Sequence, residues 1–406
     1  MNIFQELKWR NYIFNKTNNI KNLLYKKFII YIGYDPTYKY LHIGHLLSFF
    51  LLKILNKYYK NIKIIILIGE YTTKINKYKN INKLYKNIKI IKKQIIYFYK
   101  KILNNKNFII INNYKWFKKI TLLNFINKIF KNINIKYLFK NKKYIKNIKN
   151  KKIIYPIIQS YDFLYLYKKY KCNFQLGGSD QWRNIILGIK FIKKIYKKKT
   201  YALTFPLLTN NNNIKFSKSN KKYNIWLYKN KNKSYDIYQF FINLNDKISI
   251  DFLKKISFLS IKNIKYIIFK HFYNIKKKYV QKILSKIIIN LIYSNKEYKY
   301  AKYLSKYLFN NNNNFLILKK YKKYLLKNIN YLFIYKKNIY KTNIIINNII
   351  KIYNISKKKT KYFLNKGYIK FNNKRYDIFI SKFIYYNYKY IICNIITKFY
   401  FIIKII

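Results

Sequence analysis

Two of the three histidines in the chain, His42 and His45, fall at H-x-x-H spacing inside the segment Tyr31 to Leu46. The same segment holds two of seven glycines (Gly33 and Gly44), one of three prolines (Pro36) and one of ten acidic residues (Asp35). The surrounding chain is dominated by Lys, Asn, Ile, Tyr and Phe, so compositional drift does not account for this concentration of scarce types. A strand that ends in a glycine turn and opens a helix presents backbone N–H groups and a positive dipole end to an anion. Two imidazoles on one face of that first turn can donate hydrogen bonds to phosphate oxygens without a metal. A zinc site would need further Cys, His or carboxylate ligands, and the sequence offers few.

Three other groupings carry chemistry. Gln175 to Asn184 reads Gln-Leu-Gly-Gly-Ser-Asp-Gln-Trp-Arg-Asn. The glycine pair, with Gly178 second, lets a backbone approach a ligand closely, and Asp180 can accept from ribose hydroxyls. Tyr155 to Asp162 places a phenol (Tyr155), an amide (Gln159) and a carboxylate (Asp162) along one segment. Core packing is the plainer reading for the tyrosines. It does not serve Asp162, because flanking Tyr161 and Phe163 make an apolar setting that penalises an unpaired carboxylate. Lys215 to Ser219 repeats lysine at Lys215 and Lys218. In a chain with 88 Lys and Arg residues that pattern says little alone and gains meaning from its place after the nucleotide-fold strands.

The elements that must position these groups follow from periodicity. Phe28 to Gly33, Ile62 to Gly69, Phe108 to Asn112 and Asn173 to Leu176 read as strands. Leu41 to Tyr59, Asn80 to Leu103, Leu122 to Phe130, Tyr161 to Tyr170 and Gln181 to Tyr196 read as helices. This alternation predicts an α/β fold, a Rossmann-like parallel sheet with helices on both faces and ligands at the carboxyl ends of its strands. From Tyr235 to about Phe309 the pattern is helical, and Asn310 to Asn314 reads as a linker. Gly367 to Arg375 reads as a strand, an Asn-Asn turn and a returning strand.

The chain has 406 residues, 51% of them hydrophobic, enough for two or three domains with sizeable cores. Its formal net charge of +78 permits a polyanionic partner. A/T-rich codon bias explains much of that charge, since arginine survives only at Arg10, Arg183 and Arg375. Cys172 and Cys393 form no metal or disulfide pattern and read as reduced thiols. No apolar run reaches membrane-spanning length and the N-terminal residues lack a signal-peptide run, so a soluble cytoplasmic protein is expected.

Taken together, these blocks resemble the bacterial-type tyrosyl-tRNA synthetases, members of the class I aminoacyl-tRNA synthetase family. The first segment resembles the HIGH signature and Lys215 to Ser219 the KMSKS loop. The Gly-Gly-Ser-Asp-Gln-Trp and Tyr-x-x-x-Gln-x-x-Asp blocks resemble those specific to the tyrosine enzymes, and Asn112 to Trp116 and Tyr235 to Asn243 extend the likeness. The resemblance implies activation of L-tyrosine by ATP to tyrosyl-adenylate and pyrophosphate, then transfer to the 3′ end of tRNA(Tyr). It implies that Thr37, His42 and His45 contact the ATP phosphates, with Gly33 and Asp35 beside them and Lys215 and Lys218 closing over them. Gly178, Asp180 and Gln181 would hold the ribose and the tyrosine carboxyl region. Tyr31 and Asp162 would meet the substrate phenol, and Tyr155 and Gln159 its amino group. Mg2+ is expected only as the partner of ATP and pyrophosphate, with no protein metal site. A homodimer without membrane association is expected.

The implied organisation is a catalytic domain over 1–222, a helical anticodon-binding domain over 223–310, a linker over 311–344 and a small α+β RNA-binding domain over 345–406. Two departures stand out. Lys77 occupies roughly the position of an Asp that helps anchor the substrate ammonium in the family, leaving Asn76 or Asp35 to compensate or tyrosine to bind more weakly. Arg183 replaces a small residue. Three rivals are another HIGH-type adenylyl transferase, the tryptophan enzyme and a decayed synthetase retained for RNA binding.

Overall fold

The computed structural model describes residues 2–18, 20, 28–59, 62–75, 80–103, 107–129, 131, 151–209, 225–229, 231–309, 330–334, 347, 350, 356–371, 374–375, 390–395 and 399–405. The chain divides into two compact units, Met1–Asn232 with Phe241–Ile287, and Lys233–Phe240 with Ile288–Ile406.

The first unit is built on a six-stranded sheet. Its strands are β1 (Asn15–Lys16), β2 (Ile29–Tyr34), β3 (Lys63–Ile68), β4 (Phe108–Asn112), β5 (Phe174–Gly178) and β6 (Tyr201–Phe205). The order is β1-β6-β5-β2-β3-β4, and every pairing is parallel except that of the edge strand β1 with β6. In β3, Ile64 to Ile68 are all buried, as a strand covered on both faces requires. From β2 the chain winds outward through β3 and β4, and then returns to the other side of β2 through β5 and β6. The switch point therefore lies between β2 and β5, and it opens a crevice at their carboxyl ends. Gly33, Gly177 and Gly178 sit at that edge.

One core cluster joins Tyr31, Ile65, Leu67, Trp116, Phe163 and Phe191. Each such buried side chain contributes roughly 1.5–3 kcal/mol. Helices Lys151–Tyr170 and Trp182–Tyr196 pack closely there, because a Cβ on Gly188 would lie 3.4 Å from Ser160 Cα and 3.3 Å from the Phe163 ring. The N-terminal helix Ile3–Trp9 is held by buried Arg10, whose Nε donates to Glu6 Oε1 at 2.8 Å. The Arg10 guanidinium also donates to the carbonyls of Lys254 and Leu259, each at 2.7 Å. All three bonds use the planar fork that lysine lacks.

Helices Ser234–Ile242, Asp246–Lys255, Ile261–Tyr273, Tyr279–Ile292 and Asn295–Phe309 occupy the region expected to be helical. In the second unit a sheet of order β7-β11-β10-β8-β9 contains β7 (Asn330–Ile334), β8 (Ile369–Phe371), β9 (Lys374–Arg375), β10 (Tyr390–Ile395) and β11 (Phe399–Ile405). The expected strand–turn–strand is present as β8 and β9, paired antiparallel. Three further strands complete the sheet, and β7 comes from the 311–344 stretch. Gly367 ends the helix Lys357–Asn365 at φ 67°, a left-handed conformation that glycine adopts at no steric cost. Among the described residues no helix is long and apolar enough to cross a membrane.

Candidate active site

The pocket between β2 and β5 starts from helix Lys151–Tyr170. The sequence reading began this helix at Tyr161, but it runs through Pro156. Tyr155, Gln159 and Asp162 consequently stand at i, i+4 and i+7, one stripe of a helix. All three line a pocket with Tyr31, Gly33, Asp35, Thr72, Gln175 and Gln181.

At its deep end, Asp162 is buried and accepts from Asn113 Nδ2 at 3.2 Å and from Trp116 Nε1 at 3.0 Å. Burial pushes its carboxyl well above the ordinary aspartate range. The two donors oppose that shift, and the charge of Asp35 adds to it. Tyr31 is equally buried, and its hydroxyl has no hydrogen-bond partner among the described residues. Burial first, and then the charge of Asp162, raise its pKa well above the usual phenol value. A buried hydroxyl left unmet costs stability, and a ligand hydroxyl would remove that cost.

Asp35 stands where this pocket meets a larger cleft. Tyr155 Oη donates to its Oδ2 at 2.9 Å and Thr72 Oγ1 to its Oδ1 at 3.0 Å. A Cβ on Gly69 would lie 2.2 Å from Asp35 Oδ1, so only glycine admits the carboxylate there. Gln159 Oε1 accepts from Asn184 Nδ2 at 2.9 Å, while its Nε2 donates to Gln181 Oε1 at 3.4 Å.

The cleft has a volume of about 440 Å³ and is lined by Gly33, Asp35, His42, His45, Gly178, Asp180 and Gln181 among others. The two histidines do not lie on the first turn of an α-helix as expected. His42 caps a 3-10 turn, Ile43–His45, which leads into helix Leu46–Tyr58. Gly44 N donates to His42 Nδ1 at 3.1 Å, and His42 N donates to His45 Nδ1 at 3.0 Å. A backbone N–H can only donate, so His42 Nδ1 is an acceptor and a neutral His42 ring carries its proton on Nε2, whereas His45 Nδ1 faces both His42 N and the His42 carbonyl at 3.2 Å, so either tautomer of His45 finds a partner there. The ring centroids are 4.0 Å apart, pairing the two rings at the cleft wall. Thr37 lies in the turn after Asp35 and is not among the residues lining either pocket.

The matched stripe of Tyr155, Gln159 and Asp162 against a histidine-walled cleft can be set beside known proteins. The model for class I tRNA synthetases (W and Y) matches residues 24–310, more than half of the chain. The chain belongs to the class I tRNA synthetases. A tyrosine–tRNA ligase of Wigglesworthia glossinidia brevipalpis is 36% identical over 329 residues, covering 76% of this chain and 76% of its own. One from Blochmanniella floridana is 37% identical over 300 residues, covering 70% of each. A C-terminally truncated mitochondrial tyrosyl-tRNA synthetase of Aspergillus nidulans shares the fold at a TM-score of 0.65 and 22% identity, covering 76% of this chain and 94% of that one. A tryptophanyl-tRNA synthetase of Encephalitozoon cuniculi does so at 0.55 and 17% identity, covering 73% and 87%.

In this synthetase fold, Tyr31, Gly33, Asp35, Tyr155, Gln159, Asp162, Gly178, Asp180, Gln181, His42 and His45 line one pocket or the other. Lys215 and Lys218, with Asn76 and Lys77, lie outside the described residues. Asn113 and Trp116, which hold Asp162, fall in the Asn112 to Trp116 block that carries part of the family likeness, but no local pattern marks them as site residues. Nor does one mark Thr72, which holds Asp35.

Proposed function

We propose that the chain is a tyrosine–tRNA ligase. The observation that carries this reading is the pair of buried oxygens at the deep end of the pocket, Tyr31 Oη and the Asp162 carboxylate. A phenol both donates and accepts, so it can give its proton to Asp162 and accept from Tyr31. Phenylalanine offers neither, and indole offers one donor and no acceptor. A site built to hydrogen-bond a hydroxyl rejects the analogue that lacks it, and tyrosyl synthetases are themselves the standing example of that rule. The names carried by relatives at 36% and 37% identity support the same substrate.

With the phenol at Asp162, the ammonium would lie against Asp35, Tyr155 and Gln159, and the carboxylate would reach the cleft beside Gln181. A carboxylate oxygen then forms a bond to the α-phosphorus of ATP, and the bond from that phosphorus to the bridging oxygen of pyrophosphate breaks. In the second step a ribose hydroxyl at the tRNA 3′ end attacks the tyrosyl carbonyl, and AMP leaves with the electron pair of the mixed anhydride. The protein transfers little charge of its own. The ring N–H groups of His42 and His45 would stabilise negative charge gathering on the phosphate oxygens. Lys215 and Lys218 would add to that, with Thr37 beside them. Gly178 and Asp180 would receive the adenylate ribose. Mg2+ would enter with the ATP phosphates, and no cluster of three or more metal-ligating side chains forms among the described residues.

The proposal extends to tRNA(Tyr) as partner, with 223–310 as the anticodon-side helical domain and 345–406 as an RNA-binding domain to whose sheet the intervening 311–344 stretch adds β7, in a cytoplasmic homodimer. Charging of tRNA with labelled tyrosine tests it. Acid-stable, alkali-labile label on tRNA supports the reading, and its absence with active ATP hydrolysis and intact tRNA counts against it.

A further inference from the structure

Helix Ile81–Phe98 lines neither the cleft nor the phenol pocket. Its buried stripe is otherwise apolar, with Leu84, Ile88, Ile91, Ile95 and Phe98, yet it includes two amides, Asn87 and Gln94, seven residues apart and therefore on one face. Leucine would pack such positions without needing a partner, so a buried amide calls for an account of its hydrogen bonds.

Gln94 Oε1 accepts from Leu41 N at 3.0 Å, and Gln94 Nε2 donates to the Leu227 carbonyl at 2.8 Å. The orientation of the amide is fixed by these partners, since one is a backbone donor and the other a backbone acceptor. The same two segments also bond directly. Leu227 N donates to Leu41 O at 2.7 Å and Ile43 N to Ile225 O at 2.9 Å, with His42 bridged antiparallel to Trp226. The backbone on each side of His42 is therefore bonded to Ile225–Leu227, and Gln94 closes this ladder. At the other end of the turn, Asn87 Nδ2 donates to the Pro36 carbonyl at 3.1 Å, next to Asp35.

We infer that Gln94 is a positioning residue for His42, and that Gln94 and Asn87 together pin the two ends of the Asp35–Leu41 turn. This rests on the reading of the cleft as an ATP site. Gln94 acts on the phosphate side, at Leu41 beside His42, whereas Asn87 holds Pro36 beside Asp35, which lines both pockets.

The test is Gln94→Leu in the full chain, with tyrosine-dependent pyrophosphate exchange measured against both substrates and tyrosine binding followed separately by fluorescence titration. The expected result is a fall of roughly tenfold or more in kcat/KM for ATP, the scale on which small misplacements act. The tyrosine dissociation constant should stay within about twofold, since its pocket is untouched. If Gln94→Leu no longer binds tyrosine, Gln94→Glu decides by the same ratio, because it keeps the acceptor for Leu41 N and sets a repelling oxygen against the Leu227 carbonyl. Unchanged ATP parameters, or equal losses for both substrates, overturn the inference. Equilibrium dialysis with labelled ATP separates it from the ligase reading. A chain that binds ATP but exchanges nothing refutes the ligase reading, while weaker ATP binding by Gln94→Leu still supports the pin and unchanged binding removes it.

Discussion

Tyr155 Oη donates a hydrogen bond to Asp35 Oδ2 at 2.9 Å, joining the pocket-lining stripe of a helix to the turn that leads to the histidine pair. Asp35 is the carboxylate common to the linings of the Tyr31–Asp162 pocket and the cleft. Its second oxygen accepts from Thr72, so both oxygens are oriented before any ligand arrives. A cationic ammonium bound there would meet an anion already held in place, which is how preorganisation raises affinity.

Asp35→Asn should therefore raise the KM for tyrosine by roughly 10- to 100-fold, the loss of about 1.5–3 kcal/mol expected for a hydrogen bond to a charged group. Tyr155→Phe should act in the same direction and less strongly. Lys77→Asp should lower that KM by restoring an acceptor on the ammonium side. Steady-state exchange kinetics over a range of tyrosine concentrations measure all three. An unchanged KM in Lys77→Asp would remove the sequence argument about that position.

Tyr31→Phe removes one partner of the substrate phenol without changing the shape of the pocket. It also removes a buried hydroxyl that lacks a partner in the free protein, so stability should hold or rise slightly. Activation of tyrosine should fall by roughly 3- to 15-fold, the equivalent of about 0.5–1.5 kcal/mol. Discrimination against phenylalanine should fall with it. Competition between the two amino acids in exchange reports that ratio directly.

Asp162 predicts a pH signature. Burial raises its pKa in the fold, so above the ordinary aspartate range the native state binds more protons than the unfolded chain. Stability must then decline as pH rises from that range towards the folded pKa. Asp162→Asn abolishes this decline, so its stability relative to the wild type should increase with pH while tyrosine activation is lost. Urea melts between pH 4 and 8 check the sign.

Glu6 predicts the opposite slope. Burial alone would raise its carboxyl, but hydrogen bonds from Tyr58 and Arg10 and the charges of Arg10 and Lys57 outweigh it and hold the pKa below 4.5. The stability it contributes is complete above about 4.5 and is lost as pH falls through the folded value. Arg10→Lys keeps the charge but cannot reach Glu6, Lys254 and Leu259 together. It should cost about 1–3 kcal/mol, the scale of a buried hydrogen-bond acceptor left without its donor. Thermal melts at neutral and acid pH measure both effects.

The central sheet was legible because β2, β3 and β4 are apolar runs bounded by glycine or asparagine. The edge was not. β1 has two residues, and its pairing with β6 depends on contacts near Thr204 that no local pattern encodes. Pro156 misled the reading of helix Lys151–Tyr170, since proline usually ends a helix and here it lies within one. The cost of that error was geometric, because only a continuous helix puts Tyr155, Gln159 and Asp162 on one stripe. The donors that hold Asp162 lie 46 and 49 residues away in sequence, beyond any periodicity. The histidine pair was legible as a cluster of scarce residue types between a strand and a helix. Its 3-10 turn and the acceptor role of His42 Nδ1 came only from the fold.

Exchange of labelled pyrophosphate into ATP tests tyrosine activation most directly. The purified chain should support exchange when tyrosine is supplied and essentially none with phenylalanine or tryptophan. Exchange driven by tryptophan, or by no amino acid at all in a chain that remains folded and binds ATP, would contradict the assignment of Tyr31 and Asp162 as the phenol-binding pair.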